Sequence, residues 1–173
     1  MKENSTLDVL KKYYDELSEL TDPQERGKKF DYLIGNLLKT LPHCSIVHVK
    51  ERTSSGEFDC ISVIKTENQL KPKVIIAENK WKTGKSQISD INEFVGKAEK
   101  LLNSALDVEC LIFTSYAGFT KDAEARALDI SKIKNVALIL LDGSDIEKCV
   151  KGDISFKDLL DRKITELTSK LIS

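Results

Sequence analysis

Scarcity narrows this chain before any motif does. Histidine occurs only at His43 and His48, and the four cysteines, Cys44, Cys60, Cys110 and Cys149, include no C-x-x-C pair. A zinc site built from paired ligands is not expected, because Cys44 and His48 have no second pair to complete them. Scattered thiols read instead as buried and reduced. No apolar run approaches the ~20 residues that cross a bilayer, and the opening Met-Lys-Glu-Asn-Ser carries no signal peptide. A cytoplasmic protein without a membrane partner is therefore expected. There are no repeats, low-complexity tracts or linkers. Charge of one sign is lacking too: 27 basic and 28 acidic residues leave a net charge of −1. That excludes nucleic-acid binding through overall charge, though not through a local patch. Lys80, Lys82 and Lys85, with Lys71 and Lys73 further back, are the candidates for such a patch.

What is present suits one soluble domain. The 173 residues are 40% hydrophobic and 32% charged, enough for one real core and too few for two. The pattern predicts a helix over residues 6–20, with Leu7, Leu10, Tyr13, Tyr14, Leu17 and Leu20 as its stripe. Asp22 and Pro23 then open a second helix to about Leu41, so the chain begins with a helical hairpin. Residues 45–50 read as a short strand, and 51–56 as the turn into the next. Ser86 or Ser89 caps a helix to about Ser104, in which Gly96 permits close packing on the sheet. Residues 110–115 and 136–141 are buried strands, separated by a helix that Thr120 caps. Ser144 to Glu147 opens a short helix as a capping box, and Ser155 opens the last. Strands first and then alternating helices and strands predict a mixed sheet with helices on both sides.

The centre of the chain is Gly56 to Lys85. Two runs rich in β-branched residues, Glu57–Ile64 and Val74–Trp81, read as neighbouring strands. Glu78 and Lys80 are two apart and share a face with Val74 and Ile76, while Asn79 and Trp81 face the other way. Trp81 is expected to pack under the rim. Paired antiparallel, with Asp59 opposite Glu78 or Lys80, the runs bring two carboxylates and an ammonium to one rim of the sheet. A divalent cation relieves the repulsion between such carboxylates, and a lysine beside it steers a water or holds a phosphate. The residue types suit metal-assisted phosphodiester hydrolysis.

Asp59 followed by Glu78-x-Lys80 resembles the PD-(D/E)xK restriction-endonuclease-like superfamily, in particular its Mrr-like branch. Arg26–Asp31 with the helix after it, Ile88–Lys97, and Leu111–Thr120 resemble the flanking segments of that branch in order. The match spans residues 27–140, leaving an extra helix over 1–22 and C-terminal helices over 144–173. The resemblance implies a three-layer α/β/α fold with a central mixed sheet behind an N-terminal helical hairpin. It implies a Mg²⁺-dependent endodeoxyribonuclease, with Mn²⁺ as the substitute ion. Asp59, Glu78 and the carbonyl of Asn79 would be the ligands, and Lys80 would act on the attacking water. Asp31 would be an outer support reaching through a water, where the branch has a glutamate. Lys82, Lys85, Gln87 and Lys97 are candidates for substrate contact, Lys97 also reading as an ordinary surface lysine. DNA is the implied partner. With no target-recognition segment visible, specificity falls to a partner subunit, a second copy or DNA structure. Two other readings stay open: a catalytically silent DNA- or protein-binding module of the same fold, and a nucleotide cradle at Leu140–Asp145.

Overall fold

A computed structural model describes residues 2–53 and 56–173; Met1, Ser54 and Ser55, the last two within the turn expected over 51–56, lie outside the described residues. Two helices open the chain, α1 (Lys2–Glu19) and α2 (Pro23–Lys39). Asp22 separates them, its carboxylate accepting from the backbone N–H groups of Gln24 and Glu25 at 2.8 and 2.9 Å. Three strands follow, β1 (Cys44–Thr53), β2 (Gly56–Ile64) and β3 (Lys73–Lys80). Then come α3 (Ile88–Leu102), β4 (Asp107–Ser115), α4 (Lys121–Lys134), β5 (Ala137–Asp142), α5 (Gly143–Val150) and α6 (Phe156–Ile172).

The strands lie in sequence order in one five-stranded sheet. β1, β2 and β3 pair antiparallel, whereas β3, β4 and β5 run parallel. That change follows from connection length: short loops suffice for antiparallel neighbours, while parallel ones need a crossover such as α3 or α4. β4 is buried from Cys110 to Ser115, as a strand covered on both faces must be.

The two faces have separate cores. On one, Phe30, Leu33, Ile34 and Leu37 of α2 pack with Ile75, Ala77, Ile112 and Ile139, together with α1, α5 and α6. On the other, Ile91, Phe94 and Ala98 of α3 and Ala123 and Ile130 of α4 pack with Val74, Ile76, Leu111 and Phe113. α1 thus serves as a cover, burying Leu10 and Leu17 in the α2-side core. Trp81 takes the expected place on that face. It stacks on Tyr116 with centroids 3.8 Å apart and meets the edge of Phe30 at 5.2 Å, contacts worth ~0.5–1.5 kcal/mol each beyond area burial.

Several local expectations move. The cap of α3 falls on neither serine. Ser86 is buried, donating to Ser115 Oγ at 2.8 Å, and Gln87 becomes the N-cap, its N–H bonded to Asp90 Oδ2 at 2.8 Å. The box that opens α5 shifts to Asp142 and Asp145, whose carboxylates accept each other's backbone N–H. Asp142 stands at the extended strand end, where its side chain reaches back over the first turn. Gly96 faces open space; the close approach is made by Gly35 of α2. A Cβ on Gly35 would stand 2.9 Å from Val49 Cγ2. The helix therefore lies against β1 at a distance only glycine permits, which sets the height of Asp31 one turn earlier. Replacing Gly35 by valine is expected to lower stability by about 1–3 kcal/mol. Urea unfolding would show a lower midpoint at an unchanged slope.

Candidate active site

Register brings the charged residues together. The β2–β3 ladder runs from Ile64↔Lys73 to Cys60↔Ala77, which carries Asp59 to the level of Glu78. There the ladder stops, and the Asp59 side chain takes over: its Oδ2 accepts the backbone N–H of Asn79 at 2.7 Å. An otherwise orphaned buried donor is thereby satisfied. Asp59 sits where the two strands part, with 9% of its surface exposed.

Glu78 continues the row of Val74 and Ile76, so it emerges on the α3 side, as alternation requires. Both of its oxygens accept from Lys97 Nζ of α3, at 2.8 and 2.9 Å, and Lys80 Nζ is 3.7 Å from Oε1. Asn79 points the other way, its Nδ2 donating to Asp31 Oδ1 at 3.1 Å. Asp31 comes from α2 and is 3% exposed, so it is no surface acid. The three carboxylates approach one rim from three directions: Asp31 above the α2 face, Glu78 below on the α3 face, and Asp59 between them. Asp31 is tied to the cluster by Lys50, whose Nζ touches both Asp31 Oδ2, at 2.8 Å, and Asp59 Oδ1, at 2.6 Å.

Alternation fails at one place. Phe58 belongs to the α3-side core and Cys60 to the α2-side core, although they are two apart on one strand. Opposite this break, Lys50 has φ 59°, a left-handed conformation uncommon for a residue with a Cβ. The twist turns Phe58 under Lys97, whose ammonium lies 5.5 Å from the ring centroid. Glu57, next to Phe58, is exposed.

The electrostatics follow from burial. Burial raises the pKa of Glu78 above the usual carboxylate value, the charge of Asp59 adds to the rise, and Lys97 opposes it. Asp31 is raised for the same two reasons, against hydrogen bonds from Lys50 and Asn79. Burial works against the charged form of Lys50, but its bonds to Asp31 and Asp59 prevail and raise its pKa. The nearby Cys60 thiol is pushed up to about 12, chiefly by burial, which leaves it inert.

The other candidates divide. Lys82 is paired with Asp90 at 2.8 Å, while Lys85 and Gln87 are exposed beyond the end of β3. Lys97 is no ordinary surface lysine: it is the direct partner of Glu78 and also donates to the Glu57 carbonyl at 3.1 Å. Lys73 lies at the far end of β3, paired with Glu109 at 2.8 Å. Seven strand steps, roughly 23 Å, separate it from Lys80, so it contributes nothing to a patch at the rim. At the suggested nucleotide cradle, Asp142 and Asp145 cap each other, Lys163 holds Asp145 at 3.0 Å, and a Cβ on Gly143 would stand 2.6 Å from the Tyr116 carbonyl. That turn is accounted for by its own contacts.

Lys50 escapes the motif-based reading of the sequence. Its signal was the register: pairing Thr53 with Gly56 sets residue 50 across from residue 59, and β1 pairs with β2 in that register.

The donor set suits a hard divalent cation. Three carboxylates are buried together, two have raised pKa values, and the buried Asn79 Oδ1 has no hydrogen-bond partner. Such oxygen ligands are those Mg²⁺ takes. Yet among the described residues no group of three acidic, cysteine or histidine side chains stands assembled for a metal. Lysine ammoniums lie on oxygens of all three acids instead.

Neutralising Glu78 tests this electrostatic arrangement. A carboxyl whose folded pKa is raised contributes stability below its unfolded pKa, and loses that contribution as pH rises through the folded one. In EDTA at pH 7.5, Glu78→Gln is therefore expected to melt above the wild type. The gap should close as pH falls to the ordinary glutamate range, near 4.5. Melting curves across that range are the measurement.

Residues 24–150 match a family model described as restriction endonuclease. No curated protein sequence matches the chain. Among solved structures, the chain is similar to the small subunit (R.BspD6I2) of the heterodimeric restriction endonuclease R.BspD6I. The two are 15% identical with a TM-score of 0.59, over 95% of this chain and 90% of that one. It is also similar to the MspJI restriction endonuclease, solved with a 27-mer oligonucleotide, at 14% identity and TM-score 0.53 over 98% of this chain. The DNA modification-dependent restriction endonuclease AspBHI follows at 13% identity and TM-score 0.52 over 96% of this chain. The chain spans 35% and 40% of the lengths of these last two. At such identities the likeness establishes a common fold. No helix among the described residues is long and apolar enough to cross a membrane.

Proposed function

The chain belongs to the restriction endonuclease family, on the Mrr-like branch of the PD-(D/E)xK fold, and on that premise we propose that it is a Mg²⁺-dependent endodeoxyribonuclease, with Mn²⁺ able to substitute. The observation that carries the reading is the meeting of Asp59, Glu78 and Lys80 where β2 and β3 part. Asp59, Glu78 and the backbone carbonyl of Asn79 would hold the ion, with Asp31 supporting them from α2. When bound, the ion supplies Lewis acidity and a more acidic water.

The chain's own residues do the rest. Lys80, a third exposed, would orient the attacking water and offset charge developing on the scissile phosphate. Asn79 fixes Asp59 through its backbone and Asp31 through its side chain, so one residue sets the spacing of two acids. Lys82, Lys85 and Gln87, which follow the end of β3, would contact the DNA backbone. Lys97, as the ammonium on Glu78, completes the substrate side. A second copy or a partner subunit supplies sequence specificity; the heterodimeric neighbour is one precedent for such an arrangement.

One observation favours the silent binding module as the second reading: the carboxylates are paired internally with Lys50 and Lys97. The two readings part in one assay. The nuclease nicks supercoiled plasmid with Mg²⁺ or Mn²⁺ and stops with EDTA. Glu78→Ala and Lys80→Ala are each expected to lower the rate by at least about a hundredfold, with melting still cooperative. DNA binding without nicking, unchanged in both variants, would establish the silent module instead.

Phosphate contact is tested separately. Lys82→Ala and Lys85→Ala should each weaken DNA binding uniformly across sequences. Each should also reduce the dependence of log Kd on log salt by about one, as read by fluorescence anisotropy at several salt concentrations.

A further inference from the structure

We propose that Lys50 is an exchangeable counter-ion of the metal seat, holding Asp31 and Asp59 together in the metal-free protein and leaving when a divalent cation enters. The inference deepens the metal-dependent reading above and rests on it.

Position comes first. Lys50 Nζ is 2.6 Å from Asp59 Oδ1 and 2.8 Å from Asp31 Oδ2, so one ammonium bridges two acids. A divalent ion bound by Asp59 would need the same space at Oδ1 that the ammonium takes. The other oxygen of Asp59 already accepts the Asn79 N–H. While Lys50 is in place, both Asp59 oxygens are engaged.

Mobility is unequal within the bridge. The side chains of Asp31 and Asp59 are 4% and 12% exposed, whereas that of Lys50 is 43% exposed. The acids are held by Asn79, and the lysine is the member of the bridge most open to water. Its backbone agrees. Lys50 holds φ 59° within an edge strand, a strained conformation for a side chain of this kind that persists only when surrounding contacts favour it. Lys97 differs, because it is less exposed, lies over the Phe58 ring and is also tied to the Glu57 carbonyl.

A monovalent ammonium in the seat has two effects. It offsets the repulsion of two buried acids before metal arrives, so the empty site does not destabilise the fold. It also competes with the ion, so metal affinity is lower than the acids alone would give.

The test uses the full chain and Mn²⁺ alone as the probe, followed by electron paramagnetic resonance and calorimetry in the wild type, Lys50→Met and Lys50→Arg. Lys50→Met is expected to bind Mn²⁺ at least about tenfold tighter, ~1.4 kcal/mol. In EDTA it should melt below the wild type and recover with Mn²⁺. Lys50→Arg, which keeps the charge, should bind no tighter than the wild type. Equal or weaker Mn²⁺ binding by Lys50→Met than by the wild type overturns the proposal while leaving the metal reading intact. No Mn²⁺ binding by any of the three overturns both. A measurement on the wild type alone decides the matter if Lys50→Met does not fold. In crystals grown with Mn²⁺, Lys50 Nζ should stand beyond hydrogen-bond distance of Asp59, and an intact bridge beside a bound ion would refute the exchange.

Discussion

Excess negative charge, buried at one rim of a sheet, is the constraint around which this molecule is arranged. Asp31, Asp59 and Glu78 are each less than a tenth exposed, and carboxylates so placed repel unless cations lie among them. Each layer of the fold contributes a response. α2 brings Asp31 and β1 brings Lys50, the splayed β2–β3 end brings Asp59 with the Asn79 amide, and α3 brings Lys97. A hydrophobic sheet could be built without any of this. The rim is a charge-dense, partly strained place of the kind at which functional sites commonly lie.

The sheet's mixed topology makes the meeting possible. In the antiparallel half, the hairpin of β2 and β3 sets two acids at one level without intervening structure. In the parallel half, crossovers through α3 and α4 cover the face from which Glu78 emerges. Lys97 reaches Glu78 because α3 returns the chain over that face. Asp31 reaches the same rim from the opposite layer because Gly35 lets α2 lie close on β1. Residues from both cores thus converge on a boundary that belongs to neither.

Much of this was legible in the sequence, and the remainder was hidden for identifiable reasons. Period-two alternation placed Glu78 and Lys80 on one face and Trp81 on the other, because β3 is regular and buried on both sides. The sequence left open whether Asp59 lies opposite Glu78 or Lys80, because the polar loop between the runs sets no register, and the ladder takes the first. Lys97 was misjudged because a helical lysine gives no sign of what stands opposite it until the helix is docked. Lys50 went unnoticed since its partners lie 9 and 19 positions away, on another strand and on a helix. The break between Phe58 and Cys60 could not be read either. Nothing in the composition of β1 announces a left-handed lysine. Caps shifted by one or two residues where a buried polar contact, such as Ser86 with Ser115, outcompeted local capping.

Trp81, the only tryptophan in the chain, gives the molecule an intrinsic optical label at an informative place. Its indole is stacked on Tyr116, edged by Phe30 and overlain by the Arg26 guanidinium at 5.9 Å, one peptide bond beyond Lys80. Light emitted by this ring originates from a single position, directly behind the charged rim. Any rearrangement of the strand end that carries Lys80 must tilt or unstack the indole, altering the colour and brightness of its emission. The protein can therefore be watched at work without a dye attached.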